Sequence, residues 1–166
     1  MSVNVSARQL AQPGFTDQVT AVLGRTGFDP GDLCLEITES VLIDDVGSAR
    51  QALDELRRLG VAVAVDDFGT GYSSLTYLRN FPIDVVKVDR SFVAELDERP
   101  QDQAIVSAVV ELGHTLDLTT IAEGVETERQ LELLRVLGCD LAQGFHFARP
   151  RPPEEITNLI RTEPAW

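Results

Sequence analysis

Residues Val61 to Tyr72 read Val-Ala-Val-Ala-Val-Asp-Asp-Phe-Gly-Thr-Gly-Tyr. The run from Val61 to Val65 has no polar interruption, as in a strand buried on both faces of a parallel sheet. It ends in two adjacent carboxylates, Asp66 and Asp67, and then in a loop carrying Gly69 and Gly71. Successive strand side chains point to opposite faces, so both carboxylates serve one site only if the backbone turns at this point. The glycines tolerate positive φ and allow such a turn. Adjacent like charges repel, and a hard divalent cation with oxygen ligands resolves the repulsion. A solvated Asx turn is the plainer alternative for an isolated Asp-Asp pair.

The segments on either side decide the architecture. Upstream, Ser2 to Ser6 alternates as a short strand, and Phe15 to Gly27 carries Val19, Val22 and Leu23 at helical spacing. Leu33 to Glu39 is an apolar strand with Glu36 inside it. Val46 to Leu59 is amphipathic through Ala49, Ala52, Leu53 and Leu56, and Gly60 stops it. Downstream, the spacing predicts a short helix over Ser73–Arg79, a strand over Val85–Asp89 interrupted by Lys87, and a helix over Gln103–Leu116. A strand over Thr119–Glu123 follows, then a helix over Thr127–Leu137 opened by a Thr127/Gln130 capping box. Leu141–Phe145 is a last strand and Pro153–Ile160 a closing helix. Strands alternating with helices describe βα units around a parallel sheet, about six of them. Glu36, Asp66, Lys87, Glu123 and Gln143 recur at one end of successive strands, the habit of a β/α barrel. A complete barrel needs eight strands and about 250 residues. The expected fold is therefore α/β: an incomplete TIM-like barrel, with about two strands and their helices missing ahead of Ser2.

Composition narrows the function. A chain of 166 residues is one domain or part of one. With 43% hydrophobic and 25% charged residues it reads as an ordinary soluble globular chain. It contains no membrane-length apolar run and no leader, which points to the cytoplasm. Cys34 and Cys139 lie far apart and are expected as buried free thiols in a reducing compartment. A net charge of −13 argues against DNA or RNA as partner. A small anionic ligand stays possible, because metal ions on clustered carboxylates reverse the local sign. Lys87 lies within an apolar strand, where burial and nearby cations lower an amine's pKa toward acid/base work. Its structural alternative is a salt bridge to Asp89, two residues on and on the same strand face. The burial of Glu36 is harder to explain structurally. Glu126 and Glu128 sit near a helix start, where its dipole stabilises them. His114 and His146 read as surface or packing residues.

Six segments occur in order: Val3-Asn4-Val5-Ser6, Leu35-Glu36-Ile37-Thr38-Glu39, Asp66 through Leu75, Val86-Lys87-Val88-Asp89, Ala122-Glu123-Gly124-Val125-Glu126 and Gln143-Gly144-Phe145. Together they resemble the EAL family, bacterial phosphodiesterases that hydrolyse cyclic di-GMP. The resemblance implies a modified β/α barrel that binds the dinucleotide across its carboxyl-end face. It implies two divalent cations, Mg²⁺ or Mn²⁺, that activate a water to open one phosphodiester and give the linear dinucleotide. Carried over by position, Asn4, Glu36 and Asp66 look like ligands of one metal, with Asp66 bridging to a second held by Asp67. Glu123 resembles the carboxylate completing the second-metal side, Lys87 the residue contacting the attacking water, and Gln143 a support for that water and metal shell. Glu39 would anchor the loop after Asp67, a region the family places near a homodimer interface. Amide and carboxylate donors without histidine or thiolate suit Mg²⁺ or Mn²⁺ rather than zinc. A metal pair about 3.5–4 Å apart can stabilise both attacking and leaving oxygens. The Glu-Ala-Leu motif that names the family belongs upstream of the Asn4 strand and does not occur here. Residues 1–166 are thus expected to be an amino-terminally truncated EAL-type domain of a longer protein with sensory or regulatory domains. Two alternatives are a non-catalytic module binding cyclic di-GMP or a protein partner, and another metal-dependent barrel enzyme, since fold alone does not fix function.

Overall fold

Six strands form one sheet whose order follows the chain: β1 (Ser2–Asn4), β2 (Cys34–Thr38), β3 (Ala62–Phe68), β4 (Val85–Val88), β5 (Thr119–Glu123) and β6 (Leu141–Gln143). The computed structural model describes residues 1–39, 41, 46–70, 78 and 80–162. Every neighbouring pair of strands is parallel. Parallel neighbours need a crossover, usually helical. Helices α1 (Ala7–Leu10) and α2 (Phe15–Thr26) connect β1 to β2, and α3 (Val46–Arg58) connects β2 to β3. Helices α4 (Arg90–Ala94) and α5 (Pro100–Thr115) join β4 to β5, α6 (Glu128–Val136) joins β5 to β6, and α7 (Pro153–Arg161) follows. Sequential order with helical crossovers curls the sheet into a half-barrel, as expected of an incomplete TIM-like barrel. All the carboxyl ends then open on one side.

The strands fall where the apolar runs place them, and β5 has the expected bounds. The main difference is in β3, which continues through both aspartates to Phe68. Helices α1 and α4 were not legible, being too short to show a helical period. Their caps were the available signal: Ser6 and Gln9 form a capping box, and the Asp89 side chain accepts from Ser91 N. Helix α5 begins earlier than expected, at Pro100, because proline suits the first helical position. The helix expected over Ser73–Arg79 lies outside the described residues except for Leu78, which is buried.

The core lies between the sheet and its helices. Leu53 and Leu56 of α3 pack into the same buried cluster as Val63 and Val65 of β3, Val86 and Val88 of β4, Val106 of α5 and Leu134 of α6. The edges are less covered. Every residue of β1 is exposed, and an apolar hollow of about 400 Å³ runs beside it, lined by Val3, Phe15, Val19, Val22 and Leu35 among others. Helix α7 buries none of its residues. Cys34 and Cys139 are free thiols but half-buried, not fully buried as expected; burial pushes both up in pKa. Among the described residues no helix is long and apolar enough to cross a membrane.

Leu56 has 0% exposure, so Leu56→Ala is expected to cost about 2–5 kcal/mol through lost burial and a residual cavity. Ile160 is 68% exposed, and Ile160→Ala should stay within about 0.5 kcal/mol of the parent. Urea unfolding of the two variants checks the assigned core; equal losses would contradict it.

Candidate active site

The site is built on an irregularity in β3. Val65 pairs with Val86 and Phe68 with Val88, so Asp66 and Asp67 together oppose the single residue Lys87. An extra residue on one strand is a β-bulge, which bends the strand and re-aims its side chains. Asp67 takes φ 55, a left-handed conformation that aspartate tolerates better than most residues. The turn needed to bring both carboxylates to one side therefore falls on Asp67 itself. Gly69 follows at φ 96, while Gly71 lies outside the described residues. As a result Asp66, Asp67 and Glu123 each offer a carboxylate oxygen, all within 4.8 Å of one another. This all-oxygen group fits a hard divalent cation.

Lys87 occupies the centre. Its Nζ stands 2.9 Å from Glu36 Oε2, 3.1 Å from Asp66 Oδ1 and 2.6 Å from Glu123 Oε1, and its side chain is 3% exposed. Strands β2, β3 and β5 thus each send one carboxylate to the lysine of β4. The salt bridge to Asp89 weighed from the sequence is not the pairing of Lys87. Strand β4 ends at Val88, and Asp89 leaves its face to cap α4 by accepting from Ser91 N at 2.9 Å. Asp89 also lies close enough to Asp67 for its negative charge to raise the Asp67 carboxyl.

Of the two effects expected to lower the Lys87 pKa, burial does pull it down, but hydrogen bonds to Glu123, Glu36 and Asp66 outweigh burial, and the net shift is upward before any cation adds its charge. Burial pushes the Glu123 carboxyl up, with Lys87 opposing and the Asp66 and Glu36 charges adding to the rise. Partial desolvation, then the charges of Asp66 and Asp89, raise Asp67.

The remaining candidates flank this centre. Asn4 is in register with Glu36, and the two share the lining of a hollow of about 380 Å³. Gln143 is in register with Glu123, and both line a cavity of about 460 Å³ whose other walls include Arg90, Glu126 and Phe145. The Arg149 guanidinium lies 4.5 Å from the Phe145 ring centroid. Glu39 is buried just beyond β2. The loop it was expected to anchor continues into residues 71–77, outside the described ones, as does much of the expected dimer region. His114 stands 3.2 Å from Asp140 and His146 3.2 Å from Glu128, away from the carboxylate cluster. The sequence reading missed the contact of Asp89 with Asp67. It also missed the use of Gln130 beyond its cap, for which a buried amide at a helix start is a weak signal.

Comparison with known proteins identifies the family. The sequence model of the EAL domain matches residues 1–150. A curated relative from Pseudomonas aeruginosa, the bifunctional diguanylate cyclase/cyclic di-GMP phosphodiesterase MucR, is 47% identical over 156 residues, covering 94% of this chain and 23% of its own length. The solved PaMucR phosphodiesterase in complex with c-di-GMP superposes with a TM-score of 0.88 at 48% identity, covering 93% of this chain and 63% of that one. The manganese/cy-diGMP complex of Klebsiella pneumoniae BlrP1 gives a TM-score of 0.84 at 36% identity, covering 90% of this chain and 38% of that one. The chain spans less than a quarter of the length of the curated relatives it matches first. With a family match over most of its residues and a close superposition on a solved member, this chain belongs to the EAL domain family.

Proposed function

We propose that this chain is the site-bearing part of a cyclic di-GMP phosphodiesterase, hydrolysing one phosphodiester of the dinucleotide to give the linear product. One observation carries the reading: carboxylates of three strands converge on Lys87 while the β3 bulge turns Asp67 in to join two of them. A cluster of buried acids needs cations, and a phosphodiester substrate needs its charge met. Asn4, Glu36 and Asp66 on one side, and Asp66, Asp67 and Glu123 on the other, would hold two divalent cations, Mg²⁺ or Mn²⁺. When bound, such cations supply charge neutralisation at the phosphodiester and a more acidic water.

The chain's own groups do the positioning. Lys87 gives its three N–H groups to Glu36, Asp66 and Glu123, and an N–H released when those carboxylates turn to cations would orient an attacking water. Gln143, in register with Glu123, supports that water from the neighbouring strand. The adjoining cavity of about 460 Å³ is in the size range of small-ligand sites and would take part of the dinucleotide. Glu39 supports the loop after Asp67, through which a second copy would dock. The exposed β1 and the apolar hollow beside it support reading residues 1–166 as an amino-terminally truncated EAL-type domain. The much longer relatives support a parent protein with regulatory or sensory domains.

The test is incubation with cyclic di-GMP and Mn²⁺, followed by chromatography. Linear dinucleotide that disappears with chelator is expected; binding without product would make the chain a dinucleotide-binding module instead. Glu36→Ala and Asp66→Ala should each lower turnover by more than about a hundredfold, roughly 2.7 kcal/mol or more of barrier. Rates near wild type in either would remove the two-metal assignment. Lys87→Met leaves three carboxylates facing one another, and in chelator it should lose about 3–5 kcal/mol of stability in urea unfolding. Added Mn²⁺ should recover part of that loss, because a ligand bound only by the folded state stabilises it. Wild-type stability in chelator would contradict the central role of Lys87.

A further inference from the structure

The cavity beside Glu123 and Gln143 lies along a seam between two segments that leave the site in different directions. One is α4, which starts two residues beyond β4 and is capped by Asp89. The other is the loop 124–127, which leaves β5 directly after Glu123. At one end of the seam the segments touch: Gly124 has φ 73, and a Cβ there would lie 2.6 Å from Arg90 Cβ. At the other end a single side chain spans it. Gln130, 4% exposed, accepts from Glu126 N at 2.8 Å and Thr127 N at 3.0 Å through Oε1, and donates Nε2 to the Ala94 carbonyl at 3.1 Å. The loop's far flank is fixed independently. Val125 N donates to the Gln143 carbonyl, His146 N donates to the Val125 carbonyl, and a Cβ on Gly144 would lie 2.0 Å from that oxygen.

We infer that Gln130 is a positioning residue for the substrate: its buried amide ties the Glu123 loop to α4 and so sets the width of the cavity between them. The inference rests on the phosphodiesterase reading of the same site. Glutamine or glutamate at this helix position serves the capping box equally, because the cap uses only an acceptor oxygen. The bond to the Ala94 carbonyl needs a donor as well, and only the amide offers both from one planar group. The tether is therefore separable from the cap. Arg90, Ser91 and Ala94 line the cavity from α4, and Glu126 and Gln130 line it from the opposite side. Glu123 itself is held by β5 pairing and by Lys87, neither of which involves Gln130. Loosening the tether should thus act on substrate fit more than on the chemical step.

The test compares Gln130→Glu, which keeps the cap and loses the tether, with Gln130→Met, which loses both without adding charge. Steady-state kinetics with cyclic di-GMP and Mn²⁺ should show KM raised about three- to tenfold in both variants, with kcat within about twofold of wild type. Hydrogen exchange should speed up at amides 90–94 in both variants, and at Glu126 and Thr127 in Gln130→Met, which removes their acceptor. Wild-type KM in Gln130→Glu would reduce Gln130 to a cap and overturn the inference. A raised KM in Gln130→Glu alone would assign the effect to charge and overturn it too. A fall in kcat at unchanged KM would show a general structural role, with the same consequence. A wild-type chain that leaves the dinucleotide intact would overturn the phosphodiesterase reading, and exchange still decides the tether, since unchanged rates at those amides would overturn it.

Discussion

Desolvating an ammonium among three carboxylates is unfavourable unless every charge meets a partner at close range. Lys87 satisfies that condition with contacts of 2.6–3.1 Å to Glu123, Glu36 and Asp66. Those contacts draw on three other strands, so they require the sheet to curl and its carboxyl ends to be level. The parallel registers Glu36 to Ala64 and Lys87 to Ile121 supply the levelling. The buried apolar layer of α3, β3 and β4 holds the strands in that register, since a slip by one residue would turn every side chain to the other face. The polar centre thus depends on the apolar core behind it.

The bulge at Asp66 and Asp67 adds what a regular strand cannot. With regular pleating, adjacent aspartates would point to opposite faces. One extra residue and one left-handed aspartate bring both carboxylates within reach of Glu123. Backbone conformations of this kind cost free energy and persist where the surroundings over-determine them. Here the over-determination comes from pairing on both sides of β3, with β2 and with β4.

The run Val61–Val65 and the capping box at Thr127 and Gln130 were legible because each depends on neighbours in the chain. The converging residues Glu36, Asp66, Lys87 and Glu123 were legible as polar interruptions at strand ends. Their partners were not. Sequence spacing offers Asp89 to Lys87 because it sees only residues two apart on one strand, whereas the actual partners lie on β2, β3 and β5. The upward pull on the Lys87 pKa was hidden for the same reason, since burial was visible and the three acceptors were not. The second use of Gln130 was equally hidden, because its carbonyl acceptor Ala94 is 36 residues away.

The central claim is that this carboxylate cluster is a divalent metal site. The most direct measurement is anomalous X-ray diffraction from crystals of the chain soaked in Mn²⁺. The account predicts an anomalous peak among the carboxylates of Asp66, Asp67 and Glu123. No peak there at a Mn²⁺ concentration that saturates turnover, or a peak only on surface carboxylates elsewhere, would contradict it.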